Sequence, residues 1–419
     1  MARDYTRNFA TGGSRALIML IFGLQLWLTP FYLWESGLPQ LSHMLGVVVV
    51  VLLLLFRRRF LWQSRVMVPA ALFAVYASVV NLIVYLFYGD WHTLVSSLYY
   101  LYNFGLLWAV LQIFYLDATR AMNLTRVVFL ALIGLQVAVF AFGKGRFFGE
   151  SRFMGTFNDP NQLAHWLLWA VIIVLVSDYS LRFKLTWWSW IALVLGAVAL
   201  LASASRSGLL GFATIVLGFG IYYVFHGIRL RRRVVEKLLV ALPTSVFIVA
   251  LGLLVALLGA SDERASGLQE KLAQQTLFYV DRVKQGISKG EQNLEERGYD
   301  RLWKFPEYLF LGAGEGANER WAEETTFLGE IHSTLAGIVF YYGVPGVALI
   351  VLLIRQVWVS LPRVWLRVLL LAPLVYSLGT YNLRNSMFWL GLAILWAVGK
   401  VLREESRGYL KSGHSRIQA

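Results

Sequence analysis

His332 is the residue whose type and setting best suit it to move a proton. It stands in Glu330-Ile331-His332-Ser333-Thr334, where a long polar segment, 261–330, meets an apolar run. A neutral imidazole accepts a proton from a hydroxyl near neutral pH, because its unperturbed pKa is about 6.5. The plainer reading is a histidine that caps or packs against the following helix. Among the 6 histidines, His332 alone ends a long polar segment; His92 sits in a minimal loop.

Four arginines offer complementary chemistry. A guanidinium pairs bidentately with phosphate and stays charged at any physiological pH. Arg152, Arg206 and Arg384 stand at the mouths of apolar runs, beside polar and turn residues. Arg301 opens a short amphipathic stretch, Arg301-Leu302-Trp303-Lys304, inside the polar segment. Arg206 occupies the small-residue turn Ala202-Ser203-Ala204-Ser205-Arg206-Ser207-Gly208. It is either a snorkelling arginine at a helix end or an anion ligand assisted by the N–H groups that open the next helix. Arg301 is either surface charge or a further ligand.

Arg152 leads into Asn158-Asp159-Pro160-Asn161. Asp159 reads as a helix N-cap, with Pro160 at the first helical position. The functional alternative makes Asn158, Asp159 and Asn161 the polar floor of a lipid-phosphate site, with Ser333 as further polar support. Gly312, Gly314 and Gly316 read as a flexible turn; no strand precedes them, so they are no nucleotide fingerprint.

The absences count as well. The chain has no Asp-x-Asp pair, no Walker loop and no His-Glu-x-x-His. Reaction at a diphosphate without a metal needs arginines to stabilise the leaving charge. The expectation is therefore no metal and no cofactor. Cysteine is absent, which excludes disulfides and thiolate chemistry.

The elements that must position these residues are membrane helices. The 419 residues are 58% hydrophobic and 15% charged, with a mean hydropathy of +0.61. Soluble domains carry about a quarter charged residues. Apolar runs fall at 16–34, 41–56, 67–88, 93–116, 127–142, 161–177, 185–202, 207–225, 238–260, 333–354, 364–378 and 386–402. They predict an all-α integral membrane protein of about twelve spans. The first run lacks a small-residue cleavage site and reads as a span. Tyr99, Tyr100, Tyr102 and Asn103 make the fourth run wet; they line a cavity or form an interface belt.

With the N-terminus in the cytoplasm, about sixteen basic residues fall in short cytoplasmic loops, among them arginines 57–59 and 231–233. About five fall in short loops on the other side. This bias, with attraction to anionic lipid, accounts for the net charge of +14 without a nucleic-acid partner. Both termini are then cytoplasmic, and the polar segment lies outside, which is the periplasm if the host is Gram-negative. The chain divides into a membrane domain at 1–260, a helical loop or lid at 261–331, three further spans at 332–402 and a basic tail at 403–419.

Residues of about 150–355 resemble the O-antigen ligase and O-antigen polymerase superfamily. The likeness is carried by Gly155-Thr156-Phe157-Asn158-Asp159-Pro160-Asn161-Gln162, Arg206 after its small-residue turn, and Arg301-Leu302-Trp303 followed by Gly312-Ala313-Gly314. His332-Ser333-Thr334 with Tyr342-Gly343-Val344-Pro345-Gly346 completes it. The resemblance implies a membrane glycosyltransferase related in architecture to class C enzymes, working at the periplasmic face of the inner membrane without a metal. It implies an undecaprenyl-diphosphate-linked glycan as donor. It makes His332 the group that activates the acceptor hydroxyl, and Arg206 and Arg301 the diphosphate ligands. Arg152 and Arg384 are added from topology. Ser333 stands where many relatives have asparagine.

The favoured expectation is an inverting ligase that moves O-antigen polysaccharide onto a lipid A-core hydroxyl. The alternative is a polymerase of O-antigen or exopolysaccharide that uses a lipid-linked repeat as acceptor. A transporter of lipid-linked glycans would show charges deep within spans and paired broken helices.

Overall fold

A chain in lipid must satisfy its own backbone polar groups, so long apolar runs become helices. The computed structural model describes residues 12–35, 38–56, 64–149, 152–226 and 292–414. The apolar run at 238–260, the polar segment up to 291 and arginines 57–59 and 231–233 lie outside the described residues. Eleven long helices coincide with the other apolar runs: α1 (Gly12–Trp27), α2 (Leu41–Phe56), α3 (Met67–Tyr88), α4 (His92–Leu116), α5 (Ala118–Ala141), α6 (Pro160–Arg182), α7 (Trp187–Ser203), α8 (Arg206–His226), and, after the short α9 (Gln292–Glu295), α10 (Arg301–Lys304) and α11 (Tyr308–Leu311), α12 (Thr334–Ser360), α13 (Val364–Tyr376) and α14 (Ser386–His414). Seven described helices are long and apolar enough to cross a membrane: α3, α4, α5, α6, α8, α12 and α14. The chain is an all-α membrane protein.

The apolar window of α6 is wholly buried. A helix apolar on every side belongs inside, and α5, α7, α8, α13 and α14 pack around it. On the other flank α4 joins α3 to α14, and α12 packs against α3 and α14.

Cross-links gather several turns at one end of the bundle. Thr156 Oγ1 donates to Pro30 O at 2.6 Å, and Asn158 Nδ2 to Trp34 O at 2.6 Å. Ser205 Oγ donates to Asn161 Oδ1 at 3.0 Å, and Thr334 N to Ser377 O at 2.8 Å. This end also carries the polar 292–333 segment. Arg120, Arg126, Arg182, Lys184, Arg363 and Arg367 sit at the connections of the opposite end.

α12 is broken at the end of its first third. Gly343 leaves helical geometry at φ 57°, ψ −162°. Pro345 has no N–H, so it cannot serve the carbonyl four residues back, that of Tyr341. The polar segment fills the gap: Ala313 N donates to Phe340 O at 2.8 Å and Gly314 N to Tyr341 O at 2.9 Å. This docking leaves no room for a side chain at Gly312, where a Cβ would lie 2.3 Å from Tyr341 O. The glycine run is therefore a clamped insert, and the expectation of a flexible turn is corrected.

Three further features differ from the sequence reading. α5 starts at Ala118 rather than near 127, because Asp117 caps it by accepting from Arg120 N at 2.9 Å. α14 continues as helix through 403–414, within the presumed tail. A two-stranded antiparallel hairpin, β1 (Arg146–Phe148) and β2 (Arg152–Gly155), precedes α6.

Candidate functional site

The backbone around His332 is held on both sides. His332 N donates to Arg297 O at 3.0 Å, and Ile331 N to Tyr341 Oη at 3.1 Å. Ser333 is the N-cap of α12, its Oγ accepting from Ala336 N at 3.3 Å. The capping role thus belongs to Ser333, which leaves the imidazole exposed. The ring leans on Phe327, centroid to centroid 5.0 Å. Partial desolvation, and then the Arg297 charge, hold the His332 pKa below the ordinary 6.5, while the Asp159 carboxylate pulls it up. A lowered pKa favours the neutral imidazole at neutral pH.

Asp159 comes from the N-terminus of α6. It caps that helix as read from sequence, its Oδ1 accepting from Asn161 N at 2.7 Å and Gln162 N at 3.3 Å, with Pro160 following. The cap lies close enough to His332 to bias its proton. Beside it, Asn161 Oδ1 accepts from Ser205 Oγ at 3.0 Å and from Arg152 Nη2 at 3.3 Å. Arg152 Nε reaches Ser203 O at 3.4 Å. Ser205 caps α8 by accepting from Gly208 N at 3.3 Å, and Arg206 is the exposed first residue of that helix. Arg152, Asp159, Asn161, Arg206, His332 and Ser333 therefore gather where α6, α8 and α12 begin. Helix N-termini favour anions through free N–H groups and the helix dipole.

Three expected residues go elsewhere. Asn158 turns to the α1–α2 connection, where its Nδ2 holds Trp34 O and its Oδ1 accepts from Arg146. Arg301 is fully buried, with Nη2 on Phe327 O at 2.6 Å and Nη1 on Asn318 Oδ1 at 3.4 Å. Burial lowers its pKa, and Tyr341 and Asp300 oppose that. Arg384 faces two carboxylates: Nε lies 3.2 Å from Glu315 Oε2, and Nη2 bonds Glu330 Oε1. Its Nη1 donates to Ser96 Oγ at 3.0 Å. The guanidinium groups of Arg301 and Arg384 are thus taken up by the chain's own acceptors, whereas Arg206 is exposed and the half-buried Arg297 lies beside His332.

No protein-family model matches this chain, and no curated protein matches it. The site is thus read from its own residues.

Two of those residues escaped the sequence reading. Arg297 lies within the alternating charges Glu295-Glu296-Arg297, whose pattern gave no cue. Glu315 is 3% exposed, yet it accepts from the hydroxyls of Tyr100 and Tyr381 through Oε1. Its N donates to Asn81 Oδ1 at 2.9 Å. Asn81 lies seven residues inside α3, roughly 10 Å below its end at 1.5 Å per residue. An ionisable group at such depth needs partners, and Glu315 has them. An acid between two glycines was the available signal. Around this cluster Tyr100 and Asn103 are buried, while Tyr99 and Tyr102 line a cleft, so the wet face of α4 lines a cavity.

Proposed function

We propose that the protein is an inverting glycosyltransferase of the O-antigen ligase type. It has about twelve spans in a class C-like arrangement, sits in the bacterial inner membrane and carries its site on the periplasmic face. It moves O-antigen polysaccharide from undecaprenyl diphosphate to a lipid A-core hydroxyl. The observation that carries the reading is an exposed imidazole, His332, within electrostatic reach of Arg297 and of Asp159, whose helix start is bonded through Asn161 to Arg152 and to the Ser205-Arg206 turn.

In this reaction His332 removes the acceptor hydroxyl proton as the oxygen bonds to the anomeric carbon. The bond from that carbon to the diphosphate oxygen breaks on the opposite face, which inverts the centre. The electron pair leaves with the diphosphate, and guanidinium groups with helix N–H donors stabilise that charge. Asp159 stabilises the imidazolium that forms, as a carboxylate does beside a catalytic base. Arg301 and Ser333 fix the position of the base rather than touch substrate.

The test is transfer from purified lipid-linked donor to lipid A-core by the His332→Ala variant. Loss of about 10²–10⁴-fold in rate, with thermal stability unchanged, is expected for removal of a general base. Wild-type turnover by a folded variant removes His332 from the reaction. Chain growth from donor alone, with no core present, reassigns the protein to the polymerases.

A further inference from the structure

Away from His332, α2, the α3–α4 turn and the 316–330 segment enclose a cleft of about 1650 Å³. Small-molecule pockets are roughly 300–1,000 Å³, so this one suits a larger ligand. Its lining has three parts. Tyr88, Trp91, Tyr99 and Tyr102 present aromatic surface, and Trp91 is 56% exposed. Met44, Val47 and Leu98 line it from the outer faces of α2 and α4, at 50%, 50% and 64% exposed. Glu35, Asp90, Glu319, Glu323 and Glu330 supply five carboxylates.

The charge of this lining selects against an anion. Its two arginines are committed to the chain's own acceptors. Arg384 pairs with Glu315 and Glu330, and Arg320 donates to Ala313 O and Gly314 O. Of the five carboxylates, Glu330 pairs with Arg384 and Asp90 bonds His92 and Ala317 N, and with Glu35, Glu319 and Glu323 added the lining stays net negative, which repels a phosphate headgroup. The same carboxylates accept hydrogen bonds from hydroxyls, and aromatic faces pack against apolar ring surfaces. The apolar strip on membrane helices suits an acyl or prenyl tail.

We infer that this cleft binds a glycolipid with an uncharged sugar head. The sugar lies against Trp91 and Tyr99, its hydroxyls donate to Glu319 and Glu323, and the tail follows Met44, Val47 and Leu98.

The test uses the full chain in lipid nanodiscs with two photoactivatable probes sharing one dodecyl tail. One has a glucoside head, the other a phosphate head, and labelled peptides are mapped by mass spectrometry. The glucoside probe is expected to label residues 88–102 in preference to the phosphate probe. Trp91→Ala, at an exposed position, is expected to lower that labelling roughly tenfold, the loss of one aromatic contact. Glu319→Lys combined with Glu323→Lys, both exposed, is expected to reverse the headgroup preference. Equal labelling by both heads in the wild type, or labelling unchanged in all variants, overturns the inference. Labelling that persists in a protein without transferase activity keeps the cleft and rejects the reaction.

Discussion

Arg301 Nη2 donates to the Phe327 carbonyl at 2.6 Å, and the Phe327 ring lies 5.0 Å from the imidazole of His332. A fully buried guanidinium thus sets the height of an exposed base through one intervening residue. Arg301→Lys keeps the charge and loses the fork. The expected outcome is a kcat lower by about tenfold, from misplacement of the base, with an unchanged KM for donor. A diphosphate ligand would behave differently. A KM that rises while kcat holds would return Arg301 to the substrate.

The neighbours of His332 predict a pH profile. A general base works above its pKa, and the proposed base, His332, is held below 6.5, so activity is expected to persist into mildly acidic solution and to fall as pH drops through the lowered value. Arg297→Gln removes a lowering influence and should move the acidic limb upward. Asp159→Asn removes the raising influence and should move the limb downward, while asparagine still caps α6. The kcat/KM profiles of the two variants test this; limbs that coincide with the wild type detach His332 from the rate.

Arg206 is exposed at the start of α8, so a substitution there tests anion binding without disturbing packing. Arg206→Lys is expected to weaken donor use by 1–2 kcal/mol, about 5–30-fold, because an ammonium cannot form the bidentate pair. Initial rates across donor concentration measure it. Saturation identical to the wild type would mean that Arg206 holds no diphosphate.

At the opposite end of α6, Asp178 is fully buried and accepts from Thr186 N at 2.7 Å, Ser189 Oγ at 2.8 Å and Arg126 Nη1 at 3.1 Å. Asp178→Ala leaves Arg126, which is 11% exposed, without its carboxylate. Breaking a buried pair in this way costs about 3–5 kcal/mol. A lower midpoint of thermal unfolding is expected, with kcat unchanged in the protein that remains folded. Loss of kcat at wild-type stability would show that this end also serves the reaction.

The sequence located helices wherever lipid-like composition and helix length coincide, as at 41–56 and 67–88. It lost α5 before residue 127 because Thr119, Arg120, Asn123 and Arg126 mask a helix from a hydropathy reading. Asp159 and Pro160 were legible, since capping is local. The partners of Arg301 and Arg384 were not legible for the converse reason. Topology places a charge at a depth, but its partner is a matter of tertiary structure. Phe327 O, Glu315 and Glu330 come from distant stretches of chain. The β-hairpin is too short to leave a period in the sequence.

The break in α12 also bears on how the chain is made. The two carbonyls left by Gly343 and Pro345 are met by N–H groups of residues 313 and 314, which are synthesised first. The 312–314 stretch must already be in reach when α12 arrives at its place. Until then the unpaired backbone of α12 opposes its settling in lipid. Biogenesis is thereby ordered, with loop delivery ahead of helix seating. Lengthening the chain between 314 and 334 should be tolerated far better than adding one residue at 312.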